Sequence, residues 1–234
     1  MTSDVSLDLF EKHANLNFVN KDLLRLALTH SSYANISKKD EFSNERLEFF
    51  GDAVLKLIIS EYLYFKYPKE SEGYLSKLRS KYVSDKLLSL LADEINLGNY
   101  LLLSFGEEKS GGAKRLSNLA NAFEALLGAF YLDQGLDVVR RFLLDLIKKV
   151  ETLDLFKKLQ DYKSDLQEYL QHKKLALPEY RLLDQIGPDH DRQFVTEVSV
   201  VLNGESITEK ATGTTKKDSE QVAACKLLAK LHNF

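Results

Sequence analysis

The chain has 234 residues, of which 44% are hydrophobic and 29% charged, a balance typical of a folded globular protein rather than a fibrous or disordered one. Its formal net charge of −3 excludes a protein that attracts polyanions by overall charge, so any nucleic-acid contact must depend on local patches. A single cysteine, Cys225, excludes an intrachain disulfide framework and a zinc site built from cysteines.

The first part of the chain, residues 1–155, has a helical pattern almost throughout. Leu24, Ala27 and Leu28 follow one another at helical spacing, and Asn20 can cap the start of that helix. Further helices are predicted at residues 44–59, 76–97, 118–133 and 136–153, with turns at Gly98, 109–114 and 133–135. The sequence therefore predicts an all-α N-terminal domain.

The pattern changes in residues 161–234. In chain order it predicts a helix at 162–175 ended by Pro178, strands within 179–187 and 192–214 with a hairpin turn at Asn203 and Gly204, and a helix from 216 onward. The expected fold is a small α-β-β-β-α (α+β) domain. A short charged connection at residues 155–160 is expected to join it to the first domain.

The predicted helix at residues 44–59 carries an unusual row of carboxylates. Glu45, Glu48 and Asp52 stand at positions i, i+3 and i+7, so they share one face of the helix. A solvated stripe on a half-exposed helix would explain them. Against this, the many apolar neighbours such as Phe49 leave little of the helix circumference for solvent, and a buried carboxylate needs a cation or hydrogen-bond donors.

A second predicted helix shows the same combination, with Asn121 and Glu124 at i and i+3 among apolar residues. If the two helices face each other, Glu48, Asp52 and Glu124 form a cluster of oxygen ligands. Such ligands suit Mg²⁺ or Mn²⁺ and disfavour zinc. Sites of this kind typically hold a phosphate-rich substrate and assist its hydrolysis. The residues alone therefore predict a divalent-metal site in a helical domain.

The segment NERLEFFGDAVL, residues 44–55, resembles the signature helix of the ribonuclease III family. Four other segments resemble further blocks of that family in the same order: ALTHSSYAN, EGYLSKLRSKYVS, LGNYLLLSFGEEKSGG and NAFEALLGAFYLDQG. Residues 161–234 resemble its double-stranded-RNA-binding domain, so the resemblance covers essentially the whole chain. It implies a homodimeric endoribonuclease that cleaves double-stranded RNA by metal-assisted phosphodiester hydrolysis, leaving 5′-phosphate and 3′-hydroxyl ends with short 3′ overhangs.

The resemblance also implies roles for individual residues, with Mg²⁺ as the cofactor and Mn²⁺ able to substitute. The implied metal ligands are Glu48, Asp52, Asn121 and Glu124. The implied catalytic carboxylates are Asp52, Glu124, Glu48, Glu45 and Glu72. Phe49 matches an aromatic residue that inserts into a pocket of the partner subunit, although plain core packing would explain an aromatic residue there equally well.

Residue 121 departs from the family pattern, which most often has an aspartate three residues before the last glutamate. The amide oxygen of Asn121 can still ligate a hard cation but brings no charge, so weaker metal binding is expected. Three explanations stay open: a natural variant that works, a substitution introduced to trap a substrate complex, or a protein that binds RNA and cuts it poorly.

The second domain offers a candidate for each contact needed to bind duplex RNA by its shape over about 16 base pairs. By resemblance, Gln167 and Glu168 meet one minor groove, His190 meets the second, and Lys216 and Lys217 hold the phosphates between them. Each residue alone could be an ordinary surface group. Their joint occurrence on one α-β-β-β-α domain favours RNA binding.

Two further residues limit these assignments. Glu220 stands where the third basic residue of the RNA-binding patch usually occurs, so weak binding by this domain alone is expected. His30, in the segment LTHSSY, is interpreted as a structural residue, because a metal that activates water makes a general base unnecessary.

The sequence as a whole predicts a Mg²⁺-dependent endoribonuclease that processes precursor RNAs such as ribosomal RNA, with no membrane or small-molecule partner. The N-terminus lacks signal-peptide features and no stretch approaches about 20 apolar residues, so a cytoplasmic location is expected. Two alternatives stay open. A dimer that binds double-stranded RNA without cutting it rests on Asn121, and a metal-dependent hydrolase of small phosphorylated metabolites leaves the residues after 160 without a role.

Overall fold

The structure, a computed structural model, describes residues 7–36, 42–152, 161–188, 192–202 and 204–231. The chain divides into two compact units between residues 159 and 160. The connection expected at residues 155–160 lies outside the described residues. Each unit has its own hydrophobic core.

The first unit is helical in its described residues, and the all-α prediction is confirmed. Its only other regular feature in that part of the chain is an isolated bridge between Thr29 and Leu102. The α-helices are α1 (Leu7–Ala14), α2 (Lys21–Ala27), α3 (Ser31–Ala34), α4 (Glu45–Lys66), α5 (Glu72–Tyr82), α6 (Asp85–Glu94), α7 (Phe105–Lys109), α8 (Leu116–Gln134) and α9 (Leu136–Thr152). Two short 3₁₀ helices are Leu97–Tyr100 and Gly112–Lys114.

Capping residues set several of the helix ends. The side chain of Asn20 accepts a hydrogen bond of 3.0 Å from the backbone N–H of Asp22 at the start of α2, as predicted. The single helix predicted at 76–97 is wrong, because Ser84 is extended (φ −78°, ψ 144°) and separates α5 from α6. The Ser84 hydroxyl then caps α6 by accepting from the N–H of Leu87.

Helix α8 lies at the centre of the first core, and α2, α4, α6 and α9 pack around it. Its side chains are buried around nearly the whole circumference, with Phe123, Leu126 and Leu127 fully enclosed. The helix stops at Gly135, whose φ of +81° is a conformation that other residues rarely adopt. A helix buried on all sides leaves few positions for polar groups, so those that it carries require an explanation.

Helices α4 and α8 touch backbone to backbone at two glycines. A Cβ atom on Gly51 would lie 1.8 Å from the carbonyl oxygen of Glu124, and one on Gly128 would lie 2.4 Å from the carbonyl oxygen of Leu47. Neither position therefore has room for a side chain. Because Asp52 directly follows Gly51, and Glu124 itself forms the contact, this crossing brings the acidic residues of both helices to one place.

The second unit contains α10 (Tyr162–His172), β1 (Glu179–Ile186), β2 (Gln193–Leu202), β3 (Glu205–Gly213) and α11 (Lys216–Leu231). The strands form an antiparallel sheet in the order β1-β2-β3, and both helices pack together with the core on one face of it. The core side chains come from both helices and the inward positions of β2 and β3: Leu166, Leu170, Val198, Val200, Ala211, Ala223, Ala224, Leu227 and Leu231. The α-β-β-β-α prediction is confirmed.

Two details of this unit differ from the sequence prediction. Helix α10 ends at His172 rather than near Pro178, and Lys174 then takes a positive φ of +56°. Strand β1 contains an irregularity between Leu182 and Asp184 that the alternating pattern did not indicate. The predicted turn joins β2 to β3 through Gly204 at a φ of +84°, and its other predicted residue, Asn203, lies outside the described residues.

We predict that Gly128→Ala destabilises the first unit by about 3 kcal/mol or more, because the added methyl group forces α4 and α8 apart. Gly73→Ala is the control, since its Cβ on α5 would meet no heavy atom within 4 Å. That change should be neutral or stabilise by about 0.5–1 kcal/mol. Urea unfolding of the two variants in metal-free buffer measures the difference, and equal midpoints would contradict the close helix contact.

Candidate active site and nucleic-acid interface

The crossing of α4 and α8 concentrates negative charge. Glu48 and Asp52 on α4 and Glu124 on α8 are each partly buried. Burial, together with repulsion from the carboxylates of Asp52, Glu48 and Asp85, raises the pKa of Glu124 to about 7. Burial likewise raises the pKa of Glu48, with added repulsion from Glu45, Asp52 and Asp85. The carboxylates of both helices therefore repel one another within one partly desolvated site.

Asp85 is a member of this acidic group that the sequence analysis did not identify. It is the first residue of α6, directly after the capping residue Ser84. An acidic residue in the first turn of a helix is ordinary, so nothing in the local pattern marks it. Only the packing of α6 against α8 brings its charge within range of Glu48 and Glu124.

Among the described residues, Lys56 is a cation that lies within the acidic group. The Nζ atom of Lys56 is 2.7 Å from Oδ2 of Asp52, one turn earlier on α4. The same ammonium group acts on Glu124 by lowering its pKa against the larger raising effects. The sequence analysis did not identify this lysine either, because a lysine on the polar side of a helix is unremarkable in sequence.

The donor set fits a hard divalent cation in its chemistry, because it consists of carboxylate oxygens that repel one another. Asn121 lies one turn before Glu124 on α8 and is also partly exposed. Across the described ranges, however, no three Asp, Glu, His or Cys side chains converge closely enough to hold one ion together. Metal binding at this site therefore requires side chains to rotate toward a common point.

The remaining predicted acids lie at helix starts. Glu45 is the first residue of α4, is exposed, and acts electrostatically on Glu48. Glu72 is the first residue of α5 and is exposed, with its carboxylate accepting a 2.7 Å hydrogen bond from the Ser76 hydroxyl. Glu72 is not among the groups that shift the pKa of Glu124 or Glu48, so the structure brings Glu45 to the acidic group more clearly than Glu72.

Helix α4 exposes large apolar side chains on the face away from α8. Phe49 is 82% exposed and Leu57 is 55% exposed. The expectation that the apolar residues of this helix leave little of its circumference for solvent is therefore wrong for the single chain. Core packing does not explain Phe49, since a core residue would be enclosed. Exposed apolar side chains on one face mark a surface suited to contact with another protein.

His30 has the structural position that the sequence analysis gave it. Its Nδ1 atom accepts a 3.1 Å hydrogen bond from the backbone N–H of Ser32 and lies 2.9 Å from the Ser32 hydroxyl. His30 thereby caps the short helix α3. The same hydroxyl accepts from the N–H of Ser104, so this histidine belongs to a network that ties two loops together.

The second unit has a groove of about 810 Å³ between α10, the start of β1 and α11. Three of the predicted RNA-binding residues share it: Gln167, Lys216 and Lys217. Glu168 is exposed beside Gln167 on α10 but does not line the groove. His190 lies outside the described residues.

The start of α11 is held firmly while its lysines stay exposed. The N–H of Asp218 donates to the Thr215 hydroxyl at 3.0 Å, which caps the helix. Ser219 is fully buried, where its hydroxyl donates to the Lys216 carbonyl at 2.8 Å and lies 2.7 Å from the Thr196 hydroxyl. These bonds anchor the first turn to β2, so Lys216 and Lys217 extend from a fixed backbone at the positive end of a helix.

The groove also contains Glu220, the acid that replaces an expected basic residue. Its carboxylate is already paired, because Nζ of Lys163 lies 2.6 Å away. The Glu220 side chain is also only 13% exposed, so little of it can reach a ligand. The same ammonium group lies 4.5 Å from the centre of the Tyr180 ring. Lys163 on α10 therefore neutralises Glu220 across the groove, and the sequence analysis did not identify this pair.

No helix within the described residues is long and apolar enough to cross a bilayer.

The chain matches two protein families over nearly all of its length. Residues 20–150 match the family described as Ribonuclease-III-like, and residues 162–231 match the double-stranded RNA binding motif. The second match removes the alternative of a hydrolase for small metabolites, because it accounts for the part of the chain after residue 160.

Similar full-length proteins carry the name Ribonuclease 3. One from Caldanaerobacter subterraneus subsp. tengcongensis is 46% identical over 227 residues, covering 96% of this chain and 98% of that protein. One from Borreliella burgdorferi is 45% identical, covering 97% of this chain and 92% of that protein. These relatives favour a nuclease over a protein that only binds RNA.

Among solved structures, the first unit is similar to the nuclease domain of ribonuclease III from Campylobacter jejuni, described with a flexible region involved in dimer formation. The likeness has a TM-score of 0.58 at 42% identity and covers 62% of this chain and 97% of that one. The helical nuclease unit, the RNA-binding unit and the similar proteins all indicate the same family. The chain therefore belongs to the ribonuclease III family and is an endoribonuclease that acts on double-stranded RNA.

Proposed function

We propose that this enzyme cuts both strands of duplex RNA by Mg²⁺-assisted hydrolysis at the crossing of α4 and α8, with Mn²⁺ able to substitute. The family depends on a divalent metal ion, and the all-oxygen donors support Mg²⁺ as that ion. The observation that carries the proposal is the group of partly buried, mutually repelling carboxylates at the glycine contact. The products would be 5′-phosphate and 3′-hydroxyl ends with short 3′ overhangs.

In this proposal each acidic residue has a stated task. Glu48, Asp52, Asn121 and Glu124 would hold the cation, and the negative charge of the three carboxylates would favour its binding. A bound Mg²⁺ supplies activation of water and neutralises charge that develops on the phosphate. Glu124 loses its proton as the metal binds, because a ligating carboxylate must be ionised. Glu45 and Glu72, exposed at the starts of α4 and α5, would border the path of the RNA.

The active form would be a homodimer that uses the exposed face of α4. Phe49 supports this, because an aromatic side chain that is 82% exposed gains most by entering a pocket on a second subunit. Leu57 lies two turns further on and is also exposed. The related Campylobacter jejuni nuclease domain, described as having a region involved in dimer formation, supports the same arrangement.

The second unit would bind the duplex and present it for cutting. Lys216 and Lys217 would contact phosphates, while Gln167, Glu168 and His190 would contact the two minor grooves. Because such binding depends on shape rather than on base sequence, suitable substrates are structured precursor transcripts, including precursors of ribosomal RNA. We also propose a cytoplasmic location, where such transcripts are made.

Cleavage of a long RNA duplex with Mg²⁺ by the parent chain and by Asn121→Asp tests the proposal. We expect both to cut, with the Asp variant needing a lower Mg²⁺ concentration because its fourth carboxylate adds charge to the site. If only the Asp variant cuts, residue 121 disables the enzyme and the chain binds RNA without processing it. If neither cuts although both bind the RNA duplex, the acidic crossing is not the active centre.

The raised pKa of Glu124 predicts a pH-dependent stability in the absence of metal. Between its ordinary value of 4.5 and about 7, the unfolded chain releases the Glu124 proton while the folded chain keeps it, so stability falls as the pH rises through this interval. Glu124→Gln should remove the loss and melt at a higher temperature than the parent at about pH 8. Added Mg²⁺ should stabilise the parent and not this variant.

Glu70→Gln is the control for this measurement, since Glu70 is an exposed carboxylate in the turn before α5. It should melt like the parent at every pH. Equal melting temperatures for the parent and Glu124→Gln above pH 7 would contradict the electrostatic description of the site.

The double variant Lys216→Gln/Lys217→Gln should bind a long RNA duplex about 10-fold more weakly, because it loses two phosphate contacts. The slope of log affinity against log salt should also fall by about 2. Lys226→Gln/Lys230→Gln is the matched control, with the same charge loss on α11 but outside the groove. Fluorescence anisotropy in EDTA measures binding without cleavage, and equal losses for both double variants would contradict a specific phosphate contact.

A further inference from the structure

Lys56 is the cation that faces the acidic crossing. Its Nζ atom lies 2.7 Å from Oδ2 of Asp52, and the side chains of the two residues are 52% and 36% exposed. On the same helix, one turn and two turns earlier, stand Asp52 and Glu48, and α8 contributes Glu124 from the other side of the glycine contact. The ammonium group of Lys56 therefore lies within the acidic site.

The contact with Lys56 has a consequence for the proposed metal. A carboxylate oxygen that accepts a charged hydrogen bond offers less of its charge and fewer lone pairs to an incoming ion. In the part of the chain that the structure describes, the acidic side chains do not converge on one point. Oδ2 of Asp52 accepts this hydrogen bond from Lys56, a residue of its own helix.

We propose that Lys56 is a tethered counter-cation that competes with the divalent metal for Asp52 and thereby sets the metal affinity of the site. This inference rests on the proposed function, since it assumes that Asp52 is a metal ligand. Before the metal binds, the ammonium group offsets part of the repulsion among the carboxylates. When the metal arrives, it must displace this group from Asp52, and the displaced charge then opposes the metal across a short distance.

The properties of the side chain suit this role. Lysine carries a single compact charge on a flexible four-carbon chain, so it can leave Asp52 by rotating into solvent. Because the Lys56 side chain is 52% exposed, solvent is open to its ammonium group. Asn121 has already removed one carboxylate relative to the usual family pattern, and Lys56 compensates a second one. Both residues weaken attraction for the metal, and they do so independently from opposite helices.

The test measures Mg²⁺ binding to the full chain without RNA, by calorimetry and by the metal-induced shift in melting temperature. Lys56→Met keeps the aliphatic part of the side chain and removes the charge. We expect it to bind Mg²⁺ about 3- to 10-fold more tightly than the parent, the effect of one charge a few ångströms from the ion in a largely hydrated site. Without metal, it should melt at a lower temperature than the parent because the carboxylates lose their counter-charge.

Two control variants separate this effect from general charge and folding. Lys148→Met removes an exposed lysine that pairs with Asp145 at 3.4 Å within α9, and its Mg²⁺ affinity should equal that of the parent. Lys56→Arg keeps the charge, and its affinity should stay close to that of the parent. Circular dichroism of each variant establishes that it is folded.

The outcomes distinguish this inference from the proposed function. If the parent neither binds Mg²⁺ nor gains stability from it, the proposed metal site fails and the role of Lys56 fails with it. If the parent binds Mg²⁺ but Lys56→Met matches Lys148→Met, the metal site stands and the competition is overturned. Weaker binding by Lys56→Met, or tighter binding by Lys56→Arg, would also overturn it. Tighter binding by Lys56→Met alone supports it.

Discussion

The structure of the nuclease unit depends on the backbone contact between Gly51 and Gly128. Two long helices can approach this closely only where neither carries a side chain, and the contact includes the carbonyl oxygen of Glu124 itself. The acidic residues lie within one turn of these glycines, so their mutual positions follow from the helix crossing rather than from flexible loops. A site built on two closely packed helices is held more precisely than one built on loops, which suits a reaction that needs carboxylates at fixed separations.

The same contact lowers the stability of the unit electrostatically. Carboxylates on facing helices lose part of their hydration and repel one another, as the raised pKa values of Glu48 and Glu124 indicate. Under the proposed function, a bound cation would offset this repulsion and contact the negatively charged substrate. The single chain keeps partial compensation through Lys56, which accounts for a lysine beside Asp52 in an acidic site. The carboxylate repulsion that lowers stability at this crossing is therefore the same property that would favour a cation there.

In the RNA-binding unit, attraction for RNA depends on how the charges are distributed. The whole chain has a net charge of −3, so attraction for RNA must come from where the charges lie. In the groove between α10 and α11, Lys163 neutralises Glu220, while Lys216 and Lys217 stay exposed at the start of a helix. Pairing the acid inside the groove leaves the lysines at its edge to determine the local field. A charge count of the domain does not reveal this arrangement.

The sequence by itself determined the all-α and α-β-β-β-α classes of the two units and the family, because the period of apolar residues and the motifs around Asp52 and Glu124 are local in the chain. It did not give every helix, since the extended Ser84 divides the helix predicted at 76–97. It also indicated Asn20 as a cap and Gly204 as a turn residue, which depend on backbone geometry over a few residues. Tertiary structure alone decided that Phe49 is exposed, that Asp85 joins the acidic group, and that Lys163 meets Glu220 from 57 residues away. Exposure and charge pairing depend on which helices meet and at what distance. The periodic pattern of the sequence contains no information about these long-range contacts.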